Sequence, residues 1–250
     1  MTPRGPSARL GAPHLHLRQT ASTNDRARAL AAAGAPHGTV VTAGEQSAGR
    51  GRQGRTWSAP PGHALLMSVL LRDPPELLPL AAGVAVARAL GPQAAIKWPN
   101  DILLPSGVGE PPRLKVAGIL AEGRPQEGWA VLGIGVNVAV RLADLPDELH
   151  GTAATLGLEP GAVDDVRHAI LAELHALLAA DQATLLAAWR ERDALLGREV
   201  TWAGGTGTAA GVDGCGRLIV QLPGGGRTEL DAGEVHLGER QGAPPRTELE

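Results

Sequence analysis

The sequence predicts an α/β or α+β fold, with a sheet domain built of strands and helices and a small all-β module after it. Two observations carry this prediction. Short apolar, β-branched runs alternate with segments of helical periodicity as far as residue 196, and after Gly197 short β runs are separated by glycine-rich turns. A chain of 250 residues is also longer than one small core needs. We therefore expect a large domain over residues 14–196 and a β barrel or sandwich over residues 197–238.

The individual elements follow from local patterns. Ser22-Thr23-Asn24-Asp25 supplies N-cap chemistry for a first helix that runs to Ala33, and Gly34 is placed to stop it. Apolar residues at helical spacing predict further helices over residues 76–90, 163–179 and 184–195. Short apolar runs predict strands over residues 39–42, 65–71, 95–98, 102–104, 116–121 and 129–138. Segments 1–13 and 239–250 are rich in Pro, Gly and charge, so we expect loose tails there.

Composition narrows the class of function. The formal net charge of −3 gives no global basic field, which argues against a nucleic-acid partner. The single cysteine, Cys215, excludes an internal disulfide, and no apolar run is long enough for a membrane span, so we expect a cytoplasmic protein with no membrane partner. Among 23 basic residues only Lys97 and Lys115 are lysines. Either chance or a need for a compact ammonium group explains them.

The most informative segment, residues 45–57, has the sequence EQSAGRGRQGRTW. Part of it matches the dinucleotide fingerprint G-x-G-x-x-G, but that motif must open a helix, and here two prolines follow closely. A P-loop is excluded because no Gly-Lys-Ser/Thr follows. What remains is a flexible glycine-rich loop with guanidinium groups that match phosphate or carboxylate oxygens, those of Arg50, Arg52 and Arg55. A solvated basic loop or a protein contact is the alternative.

Three further segments carry polar groups at strand ends. In the segment KWPND the tight turn should place Lys97 and Asp101 close together, as a surface ion pair or as an ammonium beside a carboxylate for a metal ion or an incoming amine. The segment KVAGILAE places Lys115 at the start of a strand. In GIGVNV, two glycines imply close backbone approach or a bulge, and Asn137 offers a donor and an acceptor. Each of the last two could also be plain core.

Taken in order, the motifs STND, EQSAGRGRQGRTW, KWPND, KVAGILAE and GIGVNV resemble those of biotin–protein ligases. The resemblance covers residues 14–140 by motif and extends to residue 238 by layout. It implies a mixed β-sheet flanked by helices, related to class II aminoacyl-tRNA synthetases and followed by an SH3-like β barrel. It also implies an enzyme that uses ATP and Mg²⁺ to make biotinyl-5′-AMP. The biotin then moves to a lysine of the biotin carboxyl carrier protein of acetyl-CoA carboxylase or a related biotin enzyme.

The resemblance implies roles for particular residues. The implied biotin-binding residues are Ser22, Thr23, Asn24, Gln46, Arg50, Gly51, Arg52, Lys97 and Gly118. The implied ATP-binding residues are Arg52, Arg55, Trp57, Lys97, Asn100, Lys115 and Asn137. The implied catalytic residues are Lys97, Lys115, Arg52 and Asp101. Lys115 would face the charge that builds as pyrophosphate leaves, and Asp101 would lie near the acceptor lysine or the metal. The resemblance implies no particular residues as Mg²⁺ ligands.

The chain departs from the family pattern in three ways. Residues 106–112 lengthen the turn between the two lysine motifs, and their composition suits a solvent loop. Tyrosine and phenylalanine are absent, which leaves Leu65, Leu66 and Met67 to pack the pocket. No helix-turn-helix segment precedes residue 14, so we expect no transcriptional repressor activity. Monomer and homodimer both stay open.

Three other functions deserve comparison. A lipoate–protein ligase shares the fold and the adenylation step, but its glycine-rich loop differs, and KWPND and GRGR are present here. A pantothenate kinase that carries biotin-ligase sequence would need a kinase domain, which does not fit in 250 residues. A sensor that binds biotinyl-AMP without transferring the biotin would be a binding protein and not an enzyme. Pyrophosphate release with biotin and ATP would distinguish an enzyme from that sensor.

Overall fold

The larger of the two sheets formed by the described residues is mixed, as predicted. We describe a computed structural model, which covers residues 9–106, 113–231 and 235–237. The strands of this sheet are β1 (His14–Leu17), β2 (Val40–Ala43), β3 (Ala64–Arg72), β4 (Ala95–Lys97), β5 (Asp101–Pro105), β6 (Arg113–Arg124) and β7 (Trp129–Asn137). They lie in the order β1-β2-β3-β7-β6-β5-β4. Strands β1 and β2 are parallel, and the other neighbours are antiparallel.

Helices cover the two faces of this sheet unequally. The α-helices of the described residues are α1 (Thr23–Ala32), α2 (Leu78–Ala89), α3 (Val163–Leu178) and α4 (Gln182–Arg190). Helices α2, α3 and α4 bury one face in the main core. Helix α1 covers part of the other face, where Ala27 and Ala31 pack against Val41 and Leu70. No helix in the described ranges is long and apolar enough to cross a membrane.

Side-chain alternation along β3 separates these two faces. Leu65, Val69 and Leu71 belong to the main core, whereas Leu66 packs in a small cluster on the opposite face. Ser68 lies on that opposite face too, between Leu66 and the part that α1 covers, and it is fully buried. The sheet therefore carries a polar group beside α1.

The predicted C-terminal β module is a second, antiparallel sheet. Its strands are β8 (Glu199–Trp202), β9 (Gly205–Val212), β10 (Leu218–Gln221), β11 (Arg227–Leu230) and β12 (His236–Leu237), in the order β11-β10-β9-β8-β12. Val200, Val212 and Val220 continue the main core. Trp98 Nε1 donates to the carbonyl of Gly216 at 3.0 Å. This module is thus docked on the larger sheet domain, and its sheet is compatible with an SH3-like barrel.

The N-terminal boundary predicted at residue 14 needs correction. Leu10 is buried in the main core, and the backbone N–H of Gly11 donates to the carbonyl of Gly38 at 2.9 Å. Ordered packing therefore begins before His14. Strand β1 was not predicted, because four residues of alternating exposure give only a weak pattern. Of the predicted insertion at 106–112, residues 107–112 lie outside the described residues, as does the tail at 239–250.

Two helix ends differ from the predicted chemistry. Gly34, with φ of +86°, follows α1 as predicted, but Ser22 makes no side-chain capping bond. The backbone N–H of Thr23 donates to Gln46 Oε1 at 2.7 Å, so a residue distant in sequence satisfies this helix end. Helix α4 begins at Gln182 and not at 184, because Asp181 caps it by accepting from the N–H of Thr184 at 2.8 Å, and it ends at Arg190.

Candidate active site

A cavity of about 580 Å³ opens on the face of the larger sheet that α1 covers only in part. The glycine-rich segment and the KWPND turn form its walls. The structure brings all the predicted site residues to this one cavity. They are Ser22, Thr23, Asn24, Gln46, Arg50, Gly51, Arg52, Arg55, Trp57, Lys97, Asn100, Asp101, Lys115, Gly118 and Asn137.

Glycines form the floor of the cavity. Gly118 of β6 and Gly135 of β7 are direct partners across the two strands. A Cβ at Gly135 would lie 2.6 Å from the Trp57 ring, and one at Gly118 would lie 3.1 Å from it. A Cβ at Gly133 would collide with Asn24 Oδ1. The predicted close approach at the GIGVNV motif is confirmed, since a larger residue would displace the indole or the amide.

One end of the cavity contains neutral groups that are already paired with one another; we call it the neutral end. Thr23 Oγ1 donates to Gln46 Oε1 at 3.0 Å, and Ser68 Oγ donates to Thr23 Oγ1 at 2.8 Å. Because Gln46 Oε1 accepts from both the N–H and the hydroxyl of Thr23, the orientation of the Gln46 amide is fixed, with Nε2 on the side of Gly49.

The Asn24 amide completes the neutral end. Its Oδ1 lies 2.5 Å from Ser68 Oγ, and its Nδ2 donates to Glu122 Oε2 at 2.7 Å. Glu122 also contacts Arg28 and Arg50. Sequence reasoning missed both Ser68 and Glu122. Two features of the sequence could have indicated them. Ser68 carries the one hydroxyl in the otherwise apolar run of β3, and Glu122 is the last residue of the KVAGILAE motif.

The other end, here called the cationic end, contains the two lysines. Lys97 of β4 is the register partner of Asp101 of β5, so the predicted proximity of these residues is confirmed. Lys115 Nζ lies 2.6 Å from Asp101 Oδ1 and 5.7 Å from the centroid of a Trp57 ring. Asp101 thus pairs with Lys115, and its charge also acts on Lys97.

Burial shapes the charges at the cationic end. It lowers the pKa of Lys97, and the nearby charges of Lys115 and Arg55 lower it further, while Asp101 opposes the shift. Burial likewise lowers the pKa of the Arg52 guanidinium, against an opposing effect of Asp101. Positive charge is therefore held here against a desolvation cost, and an anionic ligand would reduce that cost.

Two asparagines differ in how fully the protein satisfies them. Asn100 Oδ1 accepts from Arg52 Nη1 at 3.2 Å, and its Nδ2 donates to the carbonyl of Ile119 at 3.0 Å. Asn137 Nδ2 donates to the carbonyl of Ala154 at 2.9 Å, but its Oδ1 is buried without a hydrogen-bond partner among the described residues. Trp57 Nε1 is likewise buried without a hydrogen-bond partner among the described residues. These two buried groups are thus an acceptor and a donor that a ligand could satisfy.

The residues fit a magnesium ion carried by phosphates better than a protein-only metal site. Within the described ranges, no three His, Cys, Asp or Glu side chains are grouped so that they could hold a metal. Among the described residues that line the cavity, Asp101 is the one that carries a carboxylate. Because Mg²⁺ is usually bound through one or two carboxylates plus substrate phosphates, Asp101 suits such an ion.

The cavity wall also differs from the predicted one. Leu66 and Met67 line it, but Leu65, which is buried in the main core, does not. The segment predicted as a flexible loop is a hairpin, in which the N–H of Gly51 donates to the carbonyl of Arg55 at 2.7 Å. Val235 and strand β12 of the second sheet line the cavity as well, which was not predicted from the sequence.

Comparison with known proteins shows to which protein family the chain belongs. The sequence profile of the biotin/lipoate A/B protein ligase family matches residues 16–138. The biotin–[acetyl-CoA-carboxylase] ligase of Mycobacterium tuberculosis is 37% identical over 247 residues, which cover 88% of this chain and 87% of that protein. The chain therefore belongs to the biotin/lipoate A/B protein ligase family, and the resemblance to its biotin protein ligases is confirmed.

Two further comparisons concern length and fold. The bifunctional ligase/repressor BirA of Bacillus spizizenii is 39% identical over 166 residues, which are 60% of this chain but 49% of that protein. This chain thus spans about half the length of that relative. The Aquifex aeolicus biotin protein ligase, solved with biotin and ATP, superposes with a TM-score of 0.73 at 27% identity, over 90% of this chain and 98% of that one. The predicted fold class is confirmed.

Proposed function

We propose that this chain is a biotin protein ligase that makes biotinyl-5′-AMP from biotin and ATP and then transfers the biotin to a carrier protein. The observation that carries the proposal is the division of one cavity into a neutral end and a cationic end above a glycine floor. Biotin has a neutral ureido ring at one end and a carboxylate at the other, so it matches this division. The Aquifex relative, solved with biotin and ATP, supports the assignment.

The ureido ring binds at the neutral end. Since Thr23 occupies Gln46 Oε1, the Gln46 Nε2 hydrogens remain for the ureido oxygen. Ser22, Thr23 and Asn24 supply the other polar contacts. Arg50 and Gly51 close over the ring. Gly118 is part of the floor and has no side chain, so it leaves room for the ligand above it.

The first chemical step occurs at the cationic end. The biotin carboxylate attacks the α-phosphorus of ATP in line, and the bond to the oxygen of the leaving pyrophosphate breaks. Arg52 and Lys97 hold the carboxylate and the α-phosphate, and Arg55 adds a further guanidinium. Lys115 stabilises the charge on the departing pyrophosphate. Magnesium, when bound, neutralises phosphate charge, and Asp101 is the residue that would hold it.

The nucleoside binds beside the same floor. Asn137 Oδ1, which is buried and unpaired among the described residues, accepts from the amino group of adenine. Trp57 offers an aromatic face for the nucleoside, and Asn100 keeps Arg52 in place through its hydrogen bond. In the second step, a lysine amine attacks the carbonyl of the mixed anhydride and AMP leaves. Asp101 would orient that amine if it does not hold the metal.

The acceptor and setting follow from the relatives and from composition. The name of the Mycobacterium relative supports the carrier protein of acetyl-CoA carboxylase, or a related biotin enzyme, as the acceptor. The net charge of −3 supports the absence of a nucleic-acid partner. The exposed, free Cys215 is compatible with a reducing cytoplasm.

Transfer to a purified carrier domain tests the proposal. The chain is incubated with Mg-ATP, the carrier domain and either biotin or lipoate, and pyrophosphate and carrier mass are measured. We expect pyrophosphate and one added biotinyl group with biotin, and no product with lipoate. A folded chain that releases no pyrophosphate with biotin would contradict the proposal. Transfer of lipoate in place of biotin would favour a lipoate ligase.

A further inference from the structure

We propose that Glu122 is a positioning residue that couples Asn24, at the neutral end, to Arg50 of the glycine-rich hairpin. One carboxylate would then set both the ring-recognition amide and the closed position of the hairpin. The inference rests on the proposed function, because it concerns how the same pocket holds biotin and retains biotinyl-AMP.

The contact with Asn24 fixes an amide that could otherwise rotate. Glu122 Oε2 accepts from Asn24 Nδ2 at 2.7 Å, and Asn24 Oδ1 lies 2.5 Å from Ser68 Oγ. Apart from Glu122, the described acceptor for Nδ2 is the carbonyl of Leu120, at 3.4 Å. Glu122 is therefore the strong acceptor that decides which side of the Asn24 amide faces Ser68.

The contact with Arg50 belongs to a cluster of two anions and two cations. Arg50 Nη2 lies 2.6 Å from Asp25 Oδ1 and 3.5 Å from Glu122 Oε2. Arg28 Nη1 lies 3.0 Å from Glu122 Oε1, and Arg28 also pairs with Asp25. Asp25 and Arg28 belong to α1, and Glu122 belongs to β6. Arg50 is the member contributed by the hairpin, so this cluster fastens the hairpin to the sheet domain.

The degree of exposure sets the expected size of the effect. The side chain of Glu122 is 26% exposed, and those of Asp25, Arg28 and Arg50 are 38–42% exposed. Partly exposed ion pairs are individually weak, but a cluster shares the ordering cost of its side chains. Loss of the carboxylate charge should therefore raise the escape of biotinyl-AMP about three- to tenfold, without unfolding the protein.

Two substitutions separate the two contacts. Glu122→Gln keeps an oxygen that can accept from Asn24 but removes the charge beside Arg28 and Arg50. We expect a biotin dissociation constant within about twofold of the parent value, with about three- to tenfold more labelling of a bystander protein. Glu122→Ala removes both contacts, so biotin binding should also weaken about tenfold.

The control is Glu127→Gln. Glu127 accepts from Arg124 and Trp129, and it does not line the cavity. The experiment measures biotin affinity by calorimetry, bystander labelling per biotinyl-AMP made, and thermal melting. The control variant should match the parent in affinity and in labelling. A melting temperature unchanged in Glu122→Gln separates positioning from a general structural role.

Arg50→Gln tests the same contact from the hairpin. It should raise bystander labelling at least as much as Glu122→Gln, because it also removes the Arg50–Asp25 pair and the contact over the ring, and adding Glu122→Gln to it should raise labelling little further. If Glu122→Gln does not fold, equal labelling by Arg50→Gln and the parent would overturn the proposal. Additive effects, or parent-like labelling by Glu122→Gln, would overturn it too. A parent chain that binds biotin but makes no biotinyl-AMP would contradict the proposed function, whereas parent-like biotin affinity in Glu122→Ala would contradict the positioning of Asn24.

Discussion

The neutral end of the pocket consists of groups that the protein already pairs with one another, whereas the cationic end consists of charges that it compensates only in part. Ser68, Thr23 and Gln46 form a hydrogen-bonded chain. Lys97, by contrast, has a pKa lowered chiefly by burial. A neutral ring is recognised by fixed donor and acceptor directions, while an activated phosphate needs charge in poorly solvated surroundings. The two ends should therefore respond differently to substitution.

The largest expected effect is at the cationic end, from Lys97→Arg. The charge is kept, but a planar fork cannot occupy the place of a compact ammonium without shifting the ligands. We expect biotinyl-AMP formation to fall about a hundredfold, the typical cost of losing one well-placed stabilising group. Single-turnover pyrophosphate release measures it. Near-parent release would make chance the better explanation of the two lysines.

At the neutral end, Ser68→Ala should act on binding and spare the chemical step. It removes the hydroxyl that contacts both Thr23 and Asn24, so these groups lose a buried hydrogen-bond partner. We expect the KM for biotin to rise about tenfold, with kcat within about twofold of the parent value. Steady-state kinetics with biotin varied at saturating ATP check this. A fall in kcat at unchanged KM would erase the distinction between the two ends.

These two residues also illustrate what the sequence could predict. Lys97 was predicted as a site residue because its motif is contiguous and ends a strand, where functional groups of sheet proteins gather. Ser68 could not be assigned, because only the packing of α1 shows which face of β3 carries the cavity. Glu122 was quoted within a motif but received no role, since its partners Asn24 and Arg28 are distant in sequence.

The boundaries of the secondary-structure elements and the helix caps show the same difference between local and long-range signals. Local patterns predicted most strands and helices within a few residues, because periodicity and glycine stops act locally. The cap of α1 comes from Gln46, and the docking of the second sheet uses the bond between Trp98 and Gly216. Such long-range contacts depend on the assembled fold, so they cannot be predicted from any single segment of the sequence.

The pH dependence of ATP use should sharpen the contrast. Because the pKa of Lys97 is lowered, its charge is lost at a lower pH than the ordinary lysine value of about 10.4. We expect kcat/KM for ATP to fall as the pH rises through that lowered pKa, while biotin affinity changes less. In Lys97→Arg, whatever activity remains should fall only at higher pH. An alkaline limb that is the same in both proteins would assign the titration to another group.

The smallest expected effect is on stability. The folded state holds Lys97 charged at a cost, and its pKa is lower than in the unfolded chain. At neutral pH both states are protonated and the full cost applies; it declines as the pH rises through the lowered pKa toward the unfolded value. Lys97→Met should thus raise the unfolding free energy by about 1 kcal/mol or less at pH 7. Its advantage should shrink at pH 10. Denaturant unfolding at both pH values measures this, and a less stable variant at pH 7 would contradict the desolvation argument.

The most direct test of the divided pocket is a crystal structure of the chain with a non-hydrolysable sulfamoyl analogue of biotinyl-AMP. The account predicts the ureido oxygen within hydrogen-bond distance of Gln46 Nε2 and the sulfamoyl group between Arg52 and Lys97. The adenine amino group should lie beside Asn137 Oδ1. An analogue bound in the opposite direction, or outside the glycine floor of Gly118 and Gly135, would contradict the account.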